Sequence, residues 1–155
     1  MTINRRNLIL GASTFATVAL AATTESNSSA TDGPTERVQG IGGFFFRSQD
    51  PKALADWYQQ HLGVNPIPTD HSHEPWQQQA GPTAFAPFPK DTKYFGSLDQ
   101  PWMINFRVRN LDAMVKQLNA ANIAVKVDPE KYPQGRFARL HDPDGNPIEL
   151  WEPAP

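Results

Sequence analysis

The amino-acid sequence predicts an α+β domain composed of two related halves. Apolar residues recur every three or four positions in residues 51–62 and again in residues 111–122, which is the spacing of a helix with one buried face. A strand-like apolar stretch precedes each helix, at residues 41–47 and 102–108. The same order of strand, cap and helix returns at an offset of 60 residues, which indicates an internal repeat.

The first helix has signals at both ends. Asp50 is a favourable N-cap, Pro51 suits the first helical turn, and Gly63 is a residue that commonly ends a helix. The predicted buried face of this helix is Leu54, Trp57, Tyr58 and Leu62, and that of the second helix is Met114, Val115, Leu118 and Ala121. We expect Trp57 and Leu118 to be buried at equivalent places, each under its own sheet.

Short strand-like stretches follow each helix. They lie at 64–68 and 83–88 in the first half, and at 123–127, 136–141 and 147–152 in the second. Each half is therefore predicted to be a βαβββ module, covering residues 38–100 and 101–155. The link at 142–146 is a predicted turn, because its aspartates can bond nearby amides and Gly145 can adopt a positive φ.

The first 22 residues have the features of a cleavable signal peptide. Arg5 and Arg6 precede an uncharged stretch at 8–22, whose 15 residues are fewer than the about 20 of a membrane-spanning helix. The arginine pair is typical of a twin-arginine signal, and an ordinary secretory signal is the alternative. Residues 23–37 are rich in Ser and Thr and are predicted to be a disordered linker before a folded domain at 38–155. We therefore expect a bacterial protein that is periplasmic or otherwise exported.

The charge and cysteine content exclude several classes of partner. With 14 basic and 16 acidic residues, the net charge of −2 offers no basic field for nucleic acid or anionic lipid. The absence of cysteine rules out disulfides, thiolate ligands, a cysteine nucleophile and the lipid attachment of a lipoprotein. The expected partner is a small molecule. We expect no membrane contact after signal cleavage, and the sequence leaves open whether the chain forms a homodimer.

The most specific motif is the segment GRFARLHDPDGNPIELW at residues 135–151. Together with FRSQDP at 46–51 and NFRV at 105–108, it resembles the vicinal-oxygen-chelate superfamily, also called the glyoxalase/bleomycin-resistance/dioxygenase fold. The resemblance covers nearly all of residues 38–155. It implies two βαβββ modules that form a curled mixed sheet around a cleft. In metal-using members that cleft holds a divalent ion, which chelates vicinal oxygens of the substrate.

The resemblance implies a metal site that is incomplete in this chain. The family's ligands are a His that opens the first strand of one or both modules and a Glu on the last strand of each. The two histidine positions fall here on Gly43 and Met103, and the 83–88 stretch contains no acid. Only Glu149 remains, whereas Zn²⁺ or Ni²⁺ needs three or four ligands.

Strand alternation predicts which side chains line the cleft. If Ile148 and Leu150 are core, then Glu149 faces the cleft. The predicted ligand-binding residues are Phe45, Arg47, Asn105, Arg107, Arg139 and Trp151. Paired arginines suit a carboxylate, because the guanidinium fork allows bidentate hydrogen bonds. The alternative is that Glu149 simply neutralises Arg47 or Arg107 as a structural ion pair.

A second candidate for a metal cluster is the segment DHSHE at residues 70–74. His71 and His73 would share one face of an extended segment and could join Glu149 as metal ligands. The competing interpretation is a solvated polar loop, because a short His-rich tract is compositional evidence only. No catalytic residue can be assigned from the sequence.

Two functions are consistent with these observations, and a degenerate copy with only a structural or interaction role is a third possibility. The first is a metal-free binder of a small anionic organic molecule, in the manner of the bleomycin-sequestering members, with no cofactor. The second is a lyase or isomerase similar to lactoylglutathione lyase, or a dioxygenase, that uses Zn, Ni, Fe or Mn. The missing histidines favour the first, whereas export by a twin-arginine route favours the second, since that route often carries proteins folded around cofactors.

Overall fold

The computed structural model describes residues 36–70 and 74–155. The described chain contains two helices, α1 (Pro51–Leu62) and α2 (Leu111–Ala120). It contains four strands, β1 (Ile104–Arg107), β2 (Lys126–Val127), β3 (Gly135–His141) and β4 (Pro147–Pro153). None of the helices in these residues is long and apolar enough to cross a membrane. The predicted signal peptide lies outside the described residues, as does all of the predicted linker except its last two positions.

Helix α1 has the predicted bounds, and its ends are closed by the residues that predicted them. The Asp50 side chain accepts a hydrogen bond from the Ala53 amide at 3.0 Å, which satisfies one of the free donors of the first turn. Gly63 follows the last turn with a φ of 69°, a left-handed conformation that costs a residue without Cβ little.

Helix α2 uses the same device at its start and stops slightly earlier than predicted. Asn110 accepts a hydrogen bond from the Ala113 amide at 2.9 Å, in the position that corresponds to Asp50 in the repeat. The helix ends at Ala120, two residues before the predicted end at residue 122. Asn122 there adopts a φ of 61°, and Asn is one of the few non-glycine residues that tolerate this conformation.

The four strands form one mixed sheet in the order β1-β4-β3-β2. Strand β1 runs parallel to β4, whereas β4, β3 and β2 are joined as antiparallel neighbours. The second half is therefore a complete βαβββ module, and the prediction of an α+β fold is confirmed.

One face of this sheet and the two helices enclose the core. Ile104 lies beside Ile148 and Phe106 beside Leu150, so these four side chains share the core face. The largest fully buried side chains are Leu111, Leu118, Leu140, Ile148 and Leu150. All five belong to the second half.

The prediction for equivalent buried helix residues is only half right. Leu118 is 1% exposed, as expected, but Trp57 is only half-buried and packs at the margin of the core. The aromatic residue of α1 that enters the core is Tyr58, which is also the residue 60 positions before Leu118. The offset of the repeat therefore identifies the correct equivalent, whereas side-chain size does not.

The predicted turn at 142–146 is confirmed, and Asp142 organises it. Its carboxylate accepts from the Asn146 backbone amide and from Asn146 Nδ2, both at 2.8 Å. Gly145 has a φ of 83°, which completes the turn. The Tyr58 hydroxyl donates to Asp142 Oδ2 at 2.9 Å and so ties helix α1 to the β3–β4 hairpin.

The strand predictions for the first half are wrong within the described residues. The stretches at 41–47, 64–68 and 83–88 are assigned no strand, so the first half contributes one helix and extended segments. Composition explains the difference. Pro66, Pro68 and Pro87 have no N–H to donate to a ladder, and the glycines around residue 42 have no side chain to pack.

Residues 36–46 belong to a compact unit separate from the one that contains residues 47–155. Within the first of these, the rings of Phe44 and Phe46 lie 5.5 Å apart. Phe45, one of the predicted ligand-binding residues, is 81% exposed there.

Candidate functional site

The sheet face opposite the core carries most of the predicted site residues. Asn105 on β1 and Arg139 on β3 both lie beside Glu149 of β4, so the three side chains form a row across the sheet. Arg107 lies beside Trp151, two residues further along the same face. The alternation argument therefore identified a real cluster, although the strand register alone says nothing about what it binds.

Glu149 is the centre of this face, and its carboxylate is enclosed by donors. The residue is 4% exposed. Oε1 accepts from the Tyr94 hydroxyl at 3.0 Å and from Arg139 Nε at 3.3 Å. Oε2 accepts from Asn105 Nδ2 at 2.9 Å. A buried carboxylate is tolerated only when it is paired and hydrogen-bonded in this way.

The cation that pairs with Glu149 is Arg139, and the prediction of Arg47 or Arg107 is wrong. The reason is the register of the β3–β4 hairpin, which places residues 139 and 149 directly opposite each other. The turn at 142–146 already fixes this register in the sequence, because pairing continues outward from 141 and 147. Counting outward from the turn would have identified the correct arginine.

Tyr94 is a member of the site that the sequence analysis missed. It lies in an irregular segment after Phe88, and its ring stacks on that of Phe88 with centroids 4.9 Å apart. Arg139 Cζ lies 4.2 Å from the Tyr94 ring centroid, and Arg139 Nη1 donates to the Tyr94 carbonyl at 2.8 Å. Tyr94 thus contacts both members of the ion pair. No periodic pattern marks such a loop residue, so only the abundance of aromatics at 85–95 could have drawn attention to it.

Arg107 has neutral partners only. Its Nη2 donates to the Gln79 carbonyl at 2.6 Å, and its Nη1 donates to the Ala80 carbonyl at 3.3 Å. No carboxylate of the described residues lies within ion-pair distance of this guanidinium. Within residues 36–70 and 74–155, its positive charge is therefore oriented by backbone carbonyls and is not neutralised by an acid.

Arg47 lies in different surroundings. It lines an open pocket of about 290 Å³ together with Ser48, Gln49, Asp144 and Asn146, at the beginning of β4. The Gln49 amide donates to Asp144 Oδ2 at 3.2 Å, which closes one side of this pocket. That Arg47 and Arg107 line one and the same cleft stays a prediction.

Trp151 is placed on the predicted face but is packed rather than open. It is 7% exposed, and its indole N–H donates to the Gln134 carbonyl at 2.8 Å. Its ring lies parallel to that of Phe137, with centroids 6.4 Å apart. In this arrangement Trp151 presents almost no surface to a ligand.

The fold and this buried ion pair define a small α+β protein with a polar site on one face of a mixed sheet. A family model described as a glyoxalase-like domain matches residues 43–151. The chain therefore belongs to the glyoxalase-like family, and the resemblance inferred from the sequence is confirmed.

Individual relatives match only part of the chain. The uncharacterized protein YaeR of Escherichia coli (strain K12) is 44% identical over 50 residues, which are 30% of this chain and 37% of that protein. The chain thus spans little more than a third of this curated relative.

Solved structures are matched at low overall similarity. TnmS3, an antibiotic binding protein from Streptomyces sp. CB03234, is 26% identical, with 68% of this chain and 88% of that chain covered and a TM-score of 0.43. A glyoxalase/bleomycin resistance protein from the same organism is 33% identical over 34% of this chain and 46% of that chain, with a TM-score of 0.31.

The residues at the family's metal position do not fit a divalent ion. Gly43 and Met103 supply no ligand where the histidines are expected. Across residues 36–70 and 74–155, no three His, Cys, Asp or Glu side chains are grouped closely enough to hold a metal. The candidate ligands His71 and His73 lie outside the described residues. Glu149, the remaining family ligand, contacts a guanidinium instead, and the expectation of no cofactor stays a prediction.

Proposed function

We propose that this chain is an exported glyoxalase-like protein that binds a small organic anion on the Glu149 face of its sheet without a resident metal. The observation that carries the proposal is the environment of Glu149, whose two oxygens accept from Tyr94, Asn105 and Arg139.

A divalent ion at Glu149 would have to replace these partners. The carboxylate would lose hydrogen bonds from Asn105 and Arg139, and the ion would then lie beside a guanidinium of the same charge sign. A single carboxylate does not supply the three or four ligands that Zn²⁺ requires. The donor set therefore favours a site in which Glu149 orients Arg139 and Asn105.

The charge of this face favours an anion. Arg107 and Arg139 contribute two positive charges and Glu149 one negative charge, so the three together carry an excess of one positive charge. A guanidinium has five N–H donors, and two of those of Arg107 are used by backbone carbonyls. The other three can bond a carboxylate, including in bidentate geometry.

Export is the second part of the proposal, and it rests on the sequence. Arg5 and Arg6 precede a short apolar stretch that ends in a small-residue motif, and the mature chain is expected to start near Ala22 or Thr23. Changing both arginines to lysine should block export by the twin-arginine route. The measurement is the distribution of the full-length precursor and the shorter mature chain between cytoplasm and periplasm. Unchanged export of the double variant would assign the protein to the general secretory route.

The binding proposal is tested with benzoate and benzamide, which differ in charge but share one shape. The purified chain should bind benzoate at least about tenfold more tightly than benzamide, and Arg107→Ala should abolish this preference. Arg109→Ala is the matched control, because this exposed arginine just beyond β1 makes none of the site's contacts. Isothermal titration or ligand-observed NMR measures both affinities.

The metal content of the same preparation distinguishes a metal-free binding protein from a metal-dependent enzyme. We expect no stoichiometric Zn, Ni, Fe or Mn, and no change of melting temperature on addition of chelator. One equivalent of metal that is lost in Glu149→Gln would overturn the proposal in favour of a metal-dependent lyase, isomerase or dioxygenase.

A further inference from the structure

The segment at residues 74–82 crosses the edge of the sheet at β1. The ring of Trp76 lies 6.1 Å from that of Phe106, whose side chain is on the core side. A few residues later, the carbonyls of Gln79 and Ala80 accept from Arg107, whose side chain is on the opposite face. Strand β1 lies at one edge of the sheet that the described residues form, so the segment can pass from one side to the other around it.

Gly81 is the residue that makes the contact with Arg107 sterically feasible. A Cβ at this position would lie 1.5 Å from Arg107 Nη1 and 2.7 Å from Arg107 Cζ. Its φ of 153° is also one that L side chains rarely adopt. A side chain at position 81 would push the Arg107 guanidinium away from the carbonyls of Gln79 and Ala80.

We propose that residues 79–81 are the positioning element of the anion site and that Gly81 determines its preference for carboxylates. This inference rests on the function proposed above and names the part of the chain that confers its selectivity. The two carbonyls fix the orientation of the Arg107 guanidinium. Because they are neutral acceptors, they do not compensate its positive charge, which can attract an anionic ligand. A side chain that is already held loses less conformational freedom when a ligand binds.

Arg139 shows why this arrangement matters. It lies on the same face, but Glu149 compensates its charge and the Tyr94 carbonyl takes a further donor. Among the described residues, carbonyl oxygens alone hold Arg107. A carboxylate ligand is therefore attracted to Arg107 rather than Arg139, and its position depends on the segment at 79–81.

The test is Gly81→Ala, which displaces the Arg107 guanidinium without removing its charge. The affinity for benzoate should fall about tenfold, whereas that for benzamide should stay within about twofold, so the ratio of the two affinities collapses. Gly145→Ala is the control, because Gly145 also has a positive φ but a Cβ there would meet nothing within 4 Å. This control should lower the melting temperature and keep the affinity ratio.

The outcomes separate this inference from the proposed function. A natural chain that binds benzoate and benzamide equally would overturn both. A natural chain that prefers benzoate, with the same preference in Gly81→Ala, would overturn only the role of residues 79–81. If Gly81→Ala does not fold, Arg107→Lys takes its place, since lysine keeps the charge but lacks the planar fork that two carbonyls can hold. Arg107→Lys should lose the benzoate preference, and its retention would overturn the inference.

Discussion

The two halves of this protein have related sequences and different structures. Residues 101–155 form a complete βαβββ module with a continuous sheet, whereas the described residues before them form one helix and extended segments. Both helices begin with the same kind of cap, since Asp50 and Asn110 each accept from the amide three residues on. The halves differ in their strands, where the first is interrupted by prolines and glycines.

The comparison indicates that helices are specified by local signals, whereas strands depend on long-range partners. A cap and an amphipathic face need only a few neighbouring residues, so both helices persist. A strand needs a partner with matching donors along its whole length, and each proline removes one donor. The first half therefore supplies a supporting helix and the segments that cross the sheet, and the second half supplies the sheet itself.

The largest expected effect is in the core of the second half. Leu118→Ala removes a side chain that is 1% exposed and should cost about 3 kcal/mol of unfolding free energy, since the helix and sheet around it cannot close the cavity. Leu62→Ala, at the half-buried end of α1, should cost about 1 kcal/mol. Urea unfolding of both variants measures the difference. Equal losses would show that the two halves contribute equally to the core.

Particular residues show how far the sequence alone predicts this structure. Asp50, Pro51 and Gly63 were sufficient for the bounds of α1, because capping is a local interaction. The alternation in β1 and β4 was sufficient to place Asn105, Arg107 and Glu149 on one face, because side chains alternate strictly along a strand.

The contacts of the site were harder to predict. The pairing of Arg139 with Glu149 follows from the hairpin register and could have been counted from the turn. The contacts of Tyr94 and of the carbonyls at 79–80 could not have been predicted from the sequence. They come from irregular segments whose path depends on tertiary packing. Several contacts that orient Arg107 and Arg139 therefore come from residues that have no sequence period.

A smaller effect is expected from Tyr58, which makes one of the hydrogen bonds that join the two halves. Tyr58→Phe removes the hydroxyl that donates to Asp142 Oδ2 but keeps the ring that packs against Phe106. Asp142 retains both hydrogen bonds from Asn146, so the turn should persist. The free energy of unfolding should fall by about 1.5 kcal/mol. Thermal or urea unfolding at pH 7 measures this loss.

The same substitution has a pH dependence whose sign follows from the burial of Tyr58. Burial raises the pKa of the Tyr58 hydroxyl above its ordinary value, and the charge of Asp142 raises it further. The unfolded chain therefore releases this proton first, at a pH of about 10, while the folded chain still holds it. The advantage of the natural chain over Tyr58→Phe should be constant below that pH and should shrink as the pH rises above it. An advantage that stays constant from pH 8 to pH 11 would show that the hydroxyl is not buried against Asp142.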